Sequence, residues 1–234
     1  MTESVPDEII AEICYHLDDN SLFELAKSQG LYSVVNSLLK SNYFHYRRVA
    51  NLLVSTAASK LQYDPDVNWQ QVYYATRYNL DGISIWSHFY QAGMNHLPTL
   101  KVLEYIDSPA VPVPPTSTDL EAVGNVEVMK YLVEQKYVDP TARTVGLFML
   151  DAIQEMQLDK EDILVYLVSV NIDKLPDSIL TYAAKFGFYK LVKQVLPLRK
   201  YGLRAVRNAY KYLVASRNAE MLDLLLSYYP GLLA

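Results

Sequence analysis

The chain has 234 residues, of which 51% are hydrophobic and 20% charged, and its formal net charge is −5. This composition excludes wholesale disorder, which requires low hydrophobicity and high net charge, and the single cysteine, Cys14, excludes a disulfide framework. The first residues form neither a basic nor an apolar leader segment, and no apolar run approaches the ~20 residues of a membrane span. We therefore predict a soluble intracellular protein of the cytoplasm or nucleus.

Helical periodicity organises the N-terminal residues 1–56. An apolar stripe over residues 6–17 consists of Ile9, Ile10, Ile13 and Leu17. Pro6 is expected at the first position of this helix, and residues 18–20 are expected to end it. Ser21 and Glu24 have the spacing of a capping box for a second helix, which Gly30 should interrupt. Two further apolar stripes follow, at 31–39 and 44–53.

Residues 57–108 are predicted to hold connecting helices and a first degenerate repeat. A turn at 64–68 leads into a helix expected at 69–78, whereas the run 79–97 fits either a short helix or an irregular packed segment. Four prolines fall within residues 109–116. Since proline neither continues a helix nor donates to a strand ladder, we predict an extended connector and a domain boundary there. Its PxxP spacing is also that of a polyproline ligand.

Residues 117–234 carry an internal repeat with a period near 30. Each unit consists of a short helix, a small turn and a second apolar helix, and a pair of this size must stack on its neighbours to bury its apolar face. The second helices, including one before the connector, are expected at 100–106, 126–133, 161–168, 189–196 and 220–226. The aligned positions are Ile106, Leu132, Leu167, Val195 and Leu225.

Two stretches of these repeats resemble ankyrin repeats. Residues 124–134 resemble the second helix of that repeat, and residues 183–187 match the Ala-Ala-x-x-Gly at the end of its first helix. The resemblance covers about residues 98–234 and implies a solenoid of stacked ankyrin-like helix pairs. The Thr-Pro-Leu-His signature is absent, which leaves the β-hairpin fingers of that family open.

The N-terminal residues resemble an F-box, a three-helix module. The family opening, Leu-Pro-x-Glu followed by Ile or Leu, resembles the stretch that contains Pro6, Glu8 and Ile9, with Val5 in place of the leucine, and residues 42–49 resemble the family's closing segment. F-boxes bind the Skp subunit of cullin–RING ubiquitin ligases. The resemblance therefore implies a contact with that subunit through Pro6, Glu8, Ile9, Ile10, Ile13, Leu17 and Leu22. Some of these apolar residues must instead form the module's own core. Alternatively, the module serves only as a cap on the repeat stack.

Basic residues are concentrated near the C-terminus. Residues 1–24 contain seven acids and no Lys or Arg, whereas residues 178–219 contain nine basic residues and no acid. We predict a basic groove for an acidic protein or nucleic acid, formed by Lys185, Lys193, Arg204, Arg207 and Lys211. Aromatic contact area could come from Tyr182, Tyr201, Tyr210 and Tyr212. Alternatively, these tyrosines are core, and the basic residues form a solvated face balanced by acidic neighbours.

No catalytic constellation is present in the sequence. It lacks a nucleophile elbow, a P-loop and a dinucleotide fingerprint, and its four histidines show no metal-ligand spacing. We therefore expect an all-α, non-enzymatic adaptor without cofactors or metals, one that recruits a target to a Skp/cullin-type ubiquitin ligase. Joined F-box-like and ankyrin-like segments are familiar in proteins of large DNA viruses that infect amoebae. The alternative is a viral or nuclear helical-repeat scaffold that uses the basic groove.

Overall fold

The computed structural model describes residues 6–53, 60–79, 95–106, 120–171 and 175–233. Within these ranges every regular element is a helix, which confirms the all-α prediction for this part of the chain. The predicted connector at 109–116 and nearly all of the ambiguous run 79–97 lie outside the described residues. By its internal contacts the chain divides into two compact units, Met1–Val111 and Pro112–Ala234.

The first unit contains six described helices. They are α1 (Asp7–His16), α2 (Asp19–Gln29), α3 (Tyr32–Leu39), α4 (Asn42–Leu52), α5 (Trp69–Asn79) and α6 (Leu97–Ile106). The helices α1, α3 and α4 pack on one another, α2 packs on α3, and α5 lies between α4 and α6. Helix α6, which the sequence assigned to the first repeat, therefore packs within the first unit.

The helix starts in the first unit differ from the sequence prediction in two details. Pro6 is the N-cap of α1 rather than its first residue, and its carbonyl accepts the N–H groups of Ile9 and Ile10 at 3.0 and 3.2 Å. The N-cap of α2 is Asp18, whose carboxylate accepts the Ser21 N–H at 2.7 Å. The predicted capping box on Ser21 is therefore wrong, because a carboxylate three residues earlier takes that N–H. The Ser21 hydrogen bonds also lower the pKa of Asp18.

A single buried cluster forms the core of the first three helices and α4. Its members are Ile10, Cys14, Leu22, Ala26, Val35 and Phe44. Gly30 ends α2 in the left-handed conformation, with φ at 66°, which is the turn expected there. The short α2–α3 connection then lets α3 fold back, so that Val35 reaches the same core.

Polar side chains fix the start of α5. The Asn42 amide donates to the Val67 carbonyl at 2.7 Å and accepts the Trp69 N–H at 2.9 Å, so α4 holds the turn that precedes α5. The buried Thr99 hydroxyl of α6 accepts the Asn68 N–H at 3.0 Å. Helices that neighbour α5 on both sides therefore determine where it begins.

The second unit contains seven described α-helices. They are α7 (Val126–Glu134), α8 (Arg143–Gln154), α9 (Glu161–Asn171), α10 (Ser178–Phe186), α11 (Tyr189–Leu198), α12 (Leu203–Ala215) and α13 (Ala219–Tyr228), with 3-10 turns at Leu158–Lys160 and Pro230–Leu233. Helices α8, α10 and α12 pack in one row, and α7, α9, α11 and α13 pack in a second row. Four of the five aligned repeat positions, those from Leu132 to Leu225, are fully buried.

Four helices of the second unit end in the same turn. A residue in the left-handed conformation follows each of α7, α8, α10 and α12, and these residues are Lys136, Met156, Gly187 and Arg217. In each turn, the following N–H donates back into the last helical turn, for example Gln157 to the Ala152 carbonyl at 2.9 Å. The three turns that end α8, α10 and α12 are spaced 31 and 30 residues apart.

Candidate protein-binding surfaces

Helix α1 presents an apolar stripe on its outer face. Ile9 and Ile13 are 52% and 49% exposed, although both are large aliphatic side chains. Residues four apart lie one turn apart on a helix, so these two side chains are neighbours, and Pro6 continues the row at the helix start. Pro6 and Glu8 are exposed as well. Four of the residues implied by the F-box resemblance are thus accessible to a partner.

The other three residues implied by that resemblance face inward. Ile10 and Leu22 are buried in the core, and Leu17 is half-buried against it. Ile10 and Leu22 are therefore among the residues that form the module's own core. The sequence stripe was too wide, because successive positions such as Ile9 and Ile10 point about 100° apart on a helix. Only one edge of the stripe faces outward.

A fully buried arginine, Arg48 of α4, joins the end of α1, the start of α2 and the middle of α5. Its Nη1 donates to the Asp19 carboxylate at 3.0 Å and its Nη2 to the Leu17 carbonyl at 2.8 Å. Nη2 also donates to the Tyr73 hydroxyl, and the guanidinium lies 3.9 Å from the centre of the Tyr73 ring. In the sequence, Arg48 is only one position of the apolar stripe 44–53 and of the closing segment 42–49. Its binding partners are 25 to 31 residues away, which no local pattern reveals.

Helices α10 and α12 bring several predicted groove residues together. Arg204, Arg207 and Lys211 lie at i, i+3 and i+7 of α12, and all three are exposed. Lys185, at the end of α10, places its ammonium 5.9 Å from the centre of the Tyr212 ring of α12. These four basic residues, Lys185, Arg204, Arg207 and Lys211, are called the basic face below.

Lys193 does not share a helix face with Lys185. The chain turns at Gly187, so Lys185 belongs to α10 and Lys193 to α11, which pack in different rows. The spacing of Lys185, Tyr189 and Lys193 at i, i+4 and i+8 would place them on one face only of a continuous helix, which these residues do not form. A glycine with a φ of 85° marks the break.

The basic residues of the second unit differ in their pairing. Lys190 donates to Asp162 at 2.9 Å, which raises the pKa of that lysine, and Arg199 donates to Asp177 at 3.1 Å. Among the described residues, no acidic side chain forms an ion pair with the basic face or with Lys193. Acidic neighbours therefore balance the positive charges of Lys190 and Arg199, as the alternative expected, but not those of the basic face.

The tyrosines of this region are mostly part of the packing. Tyr201 is 5% exposed, and burial raises the pKa of its hydroxyl, so it belongs to the core. Tyr182 and Tyr210 are half-buried. Tyr212 is 37% exposed and lies beside Lys185, which makes it the tyrosine of this group best placed to contact a partner.

The described residues contain no group of three or more His, Cys, Asp or Glu side chains arranged to hold a metal ion. None of the described helices has the length and apolar character needed to cross a membrane. Comparison with protein-family models, with curated proteins and with solved structures finds no match to this chain. The surfaces above are therefore interpreted from their own chemistry.

Proposed function

We propose that this protein is a non-enzymatic adaptor, whose helix α1 recruits the Skp subunit of a ubiquitin ligase while its second unit holds a target. The observation that carries the proposal is the outward pair Ile9 and Ile13, each about half exposed beside a fully packed core. Burying such aliphatic side chains against a partner stabilises a complex by about 1 kcal/mol or more each. A helix that only capped the repeats would have no need of this exposed pair.

The charges around the pair favour a partner with basic groups at its rim. Asp7 and Glu8 lie in the first turn of α1 and are exposed, and Glu12 lies one turn further along. Glu12 is within 3.5 Å of Arg47, so it is partly neutralised, whereas among the described residues Asp7 and Glu8 have no basic partner. An apolar centre with an acidic rim is a common arrangement for a specific protein interface.

Binding of the full chain to purified Skp subunit tests the proposal. The wild type is expected to bind, and the double variant Ile9→Asp/Ile13→Asp is expected to lose at least 100-fold in affinity, because two charges would enter the apolar centre. Circular dichroism should show an unchanged fold, since both residues are half exposed. Matched controls are Phe23→Asp on α2 and Val214→Asp on α12, which are similarly exposed and should bind like the wild type.

Absence of wild-type binding, or equal loss in all three variants, would contradict the adaptor. In that case the α1 surface has another occupant or the Asp substitutions act through stability. The measurement should therefore report affinity and thermal midpoint for each variant side by side. The proposal stands only when affinity falls for the α1 variant alone.

The unpaired basic face supports a second candidate function, a helical-repeat scaffold for an acidic protein or a nucleic acid. Its four cations lie on two adjacent helices, and Tyr212 adds aromatic area next to them. Arrays of this kind attract polyanions through counterion release and aromatic stacking. Under this interpretation the N-terminal module acts only as a cap.

A salt titration of full-chain binding to DNA, RNA and polyglutamate separates the possible partners. For duplex DNA, the triple variant Arg204→Gln/Arg207→Gln/Lys211→Gln should reduce the slope of log K against log salt by about 3. Lys190→Gln is the matched control, because that lysine is already paired with Asp162. Polyglutamate binding without DNA or RNA binding would indicate an acidic protein partner. No binding of any probe at low salt would eliminate this candidate.

A further inference from the structure

A polar pocket of about 300 Å³ lies in the first unit where the end of α1 meets α2, α4 and α5. Its buried walls include Arg48 and Tyr73, and its exposed walls include His16 and Asp18. Arg77, in the last turn of α5, is half-buried. Neither proposed binding surface uses this pocket.

Two guanidinium groups converge on one oxygen atom in this pocket. The Tyr73 hydroxyl accepts a hydrogen bond from Arg48 Nη2 and another from Arg77 Nη1, the latter at 2.8 Å. Like charges this close repel each other, so the arrangement requires negative charge nearby. Asp19 supplies it for Arg48, at 3.0 Å from Nη1.

Arg77 has no equivalent partner. Among the described residues, no acidic side chain lies within ion-pair distance of it, and its hydrogen bond to Tyr73 uses only Nη1. The Nε and Nη2 groups of Arg77 remain available as donors. The buried Nε of Arg48 also has no acceptor among the described residues. A buried donor of this kind calls for an explanation. The pocket therefore has unused donors on both arginines, and the carboxylates of Asp18 and Asp19 act on Arg77 only at longer range than an ion pair.

Asp18 limits which anion fits. Its carboxylate lines the same pocket and is held in place as the N-cap of α2 by the Ser21 N–H. The Ser21 hydrogen bonds lower the pKa of Asp18, so this carboxylate is charged at neutral pH. A doubly charged phosphate would be repelled by it, whereas a singly charged carboxylate gains the fork of Arg77 with less repulsion.

We propose that this pocket binds a single carboxylate group, with Arg77 as the principal donor and Arg48 as a buried positive charge behind it. The carboxylate belongs either to a small organic acid or to the C-terminus of a peptide. Both sources present the same planar pair of oxygens, which the Nε and Nη2 groups of Arg77 match in a bidentate pair.

Titration of the full chain with two probe pairs tests the proposal and separates the sources. The first pair is propionate and propionamide, and the second is N-acetyl-trialanine with a free or an amidated C-terminus. Chemical-shift changes of the Arg77 side-chain N–H and the thermal midpoint report binding. Both carboxylates, or one of them, should bind, and neither amide should. Binding of propionate points to a small acid, whereas binding of the peptide alone points to a chain terminus.

Two variants make the test decisive. Arg77→Gln should weaken carboxylate binding at least tenfold, whereas Lys27→Gln on α2, an exposed residue away from the pocket, should not change it. Asp18→Asn keeps a good N-cap and removes the competing charge, so it should bind carboxylate several-fold more tightly and should also admit inorganic phosphate. The proposal would be overturned if neither the wild type nor Asp18→Asn bound either carboxylate at concentrations on the order of 10 mM. Unchanged affinity in Arg77→Gln would overturn it as well.

Discussion

The first unit buries charged and hydrogen-bonding groups where the second buries repeated apolar layers. In the first unit, Arg48, Asn42 and Thr99 each form contacts with residues more than 20 positions away. In the second, equivalent apolar positions such as Leu132 and Leu167 recur in one row of helices. Unique polar contacts specify a single arrangement, whereas a repeated layer specifies only the next neighbour.

Two buried polar residues depart from this pattern in the second unit, Asn171 at the end of α9 and Lys160, which is the charged one. Lys160 precedes α9 and is buried, at the place where the apolar Phe188 precedes α11. Its ammonium donates to the carbonyls of Glu121 and Val123 at 2.8 and 2.6 Å, and burial lowers its pKa. A charged group is thus buried in the repeat where backbone carbonyls at the start of the unit accept its hydrogen bonds.

The largest effect is expected from Arg48→Met in the first unit. This change should lower the free energy of unfolding by about 4 kcal/mol, because it leaves the Leu17 carbonyl without its donor and the half-buried Asp19 carboxylate without its ion pair. Both tryptophans of the chain, Trp69 and Trp86, belong to the first unit, so fluorescence in a urea titration monitors that unit.

Arg207→Met on α12 is the control for this prediction. Arg207 is exposed, so its replacement should change stability by no more than about 0.5 kcal/mol. A fluorescence midpoint that is the same in Arg48→Met and in the wild type would contradict a structural role for the buried arginine.

The contrast between the units also explains what the sequence could predict. The helices of the second unit follow from apolar periodicity, and four of its aligned repeat positions are buried. Arg48 shows the limit, since its partners are distant in sequence and its charge argues against burial. The left-handed turns show another limit, because Gly187 signals its turn in the sequence and Met156 does not.

The sequence predicted where the candidate surfaces lie along the chain, but it did not predict which residues belong to each surface. A helical stripe at α1 could be read from the spacing of Ile9 and Ile13, whereas which edge of it faces solvent depends on how α3 and α4 pack. The basic face follows from composition, but the acidic partners of Lys190 and Arg199 lie on neighbouring helices. Only the packed helices bring those charges together.

The second-largest effect is expected from Leu167→Ala in the second unit. Leu167 is fully buried in α9, and the resulting cavity should lower the free energy of unfolding by about 3 kcal/mol. Circular dichroism should show the loss while tryptophan fluorescence retains its wild-type midpoint. Val170→Ala on the same helix, at a 42% exposed position, is the matched control and should cost less than about 1 kcal/mol. Equal shifts in both probes would show that the two units unfold together.

A pH effect is expected at His45 in the first unit. Its Nε2 lies 2.8 Å from the Leu39 carbonyl, its Nδ1 is buried without a hydrogen-bond partner among the described residues, and burial lowers the pKa of the ring. Below about pH 6.5, His45 binds a proton in the unfolded chain but stays neutral in the folded chain. Stability should therefore fall by up to about 1.4 kcal/mol per pH unit as pH decreases, until the lowered folded pKa is reached.

His45→Gln should flatten this dependence between pH 7 and 5, measured as the urea midpoint of tryptophan fluorescence. The glutamine amide can still donate to the Leu39 carbonyl. The control is His16→Gln, which changes a largely exposed histidine and should keep the wild-type slope. A slope unchanged in His45→Gln would assign the acid sensitivity to other groups.

The smallest effects concern the repeated turns of the second unit. There the sign of the change in stability distinguishes a residue in the left-handed conformation from its neighbour with a negative φ. Lys136 has a φ of 62°, which strains a residue with a side chain, so Lys136→Gly should stabilise the unit by about 0.5–1 kcal/mol. Its neighbour Gln135 has a φ of −78°, and Gln135→Gly should instead destabilise by a similar amount, because glycine only adds freedom to the unfolded chain there. Both side chains are exposed, so thermal midpoints compare backbone effects alone. Changes of the same sign would mean that the turn is not held in the left-handed conformation, and the repeated helix ends would then lose their common geometry.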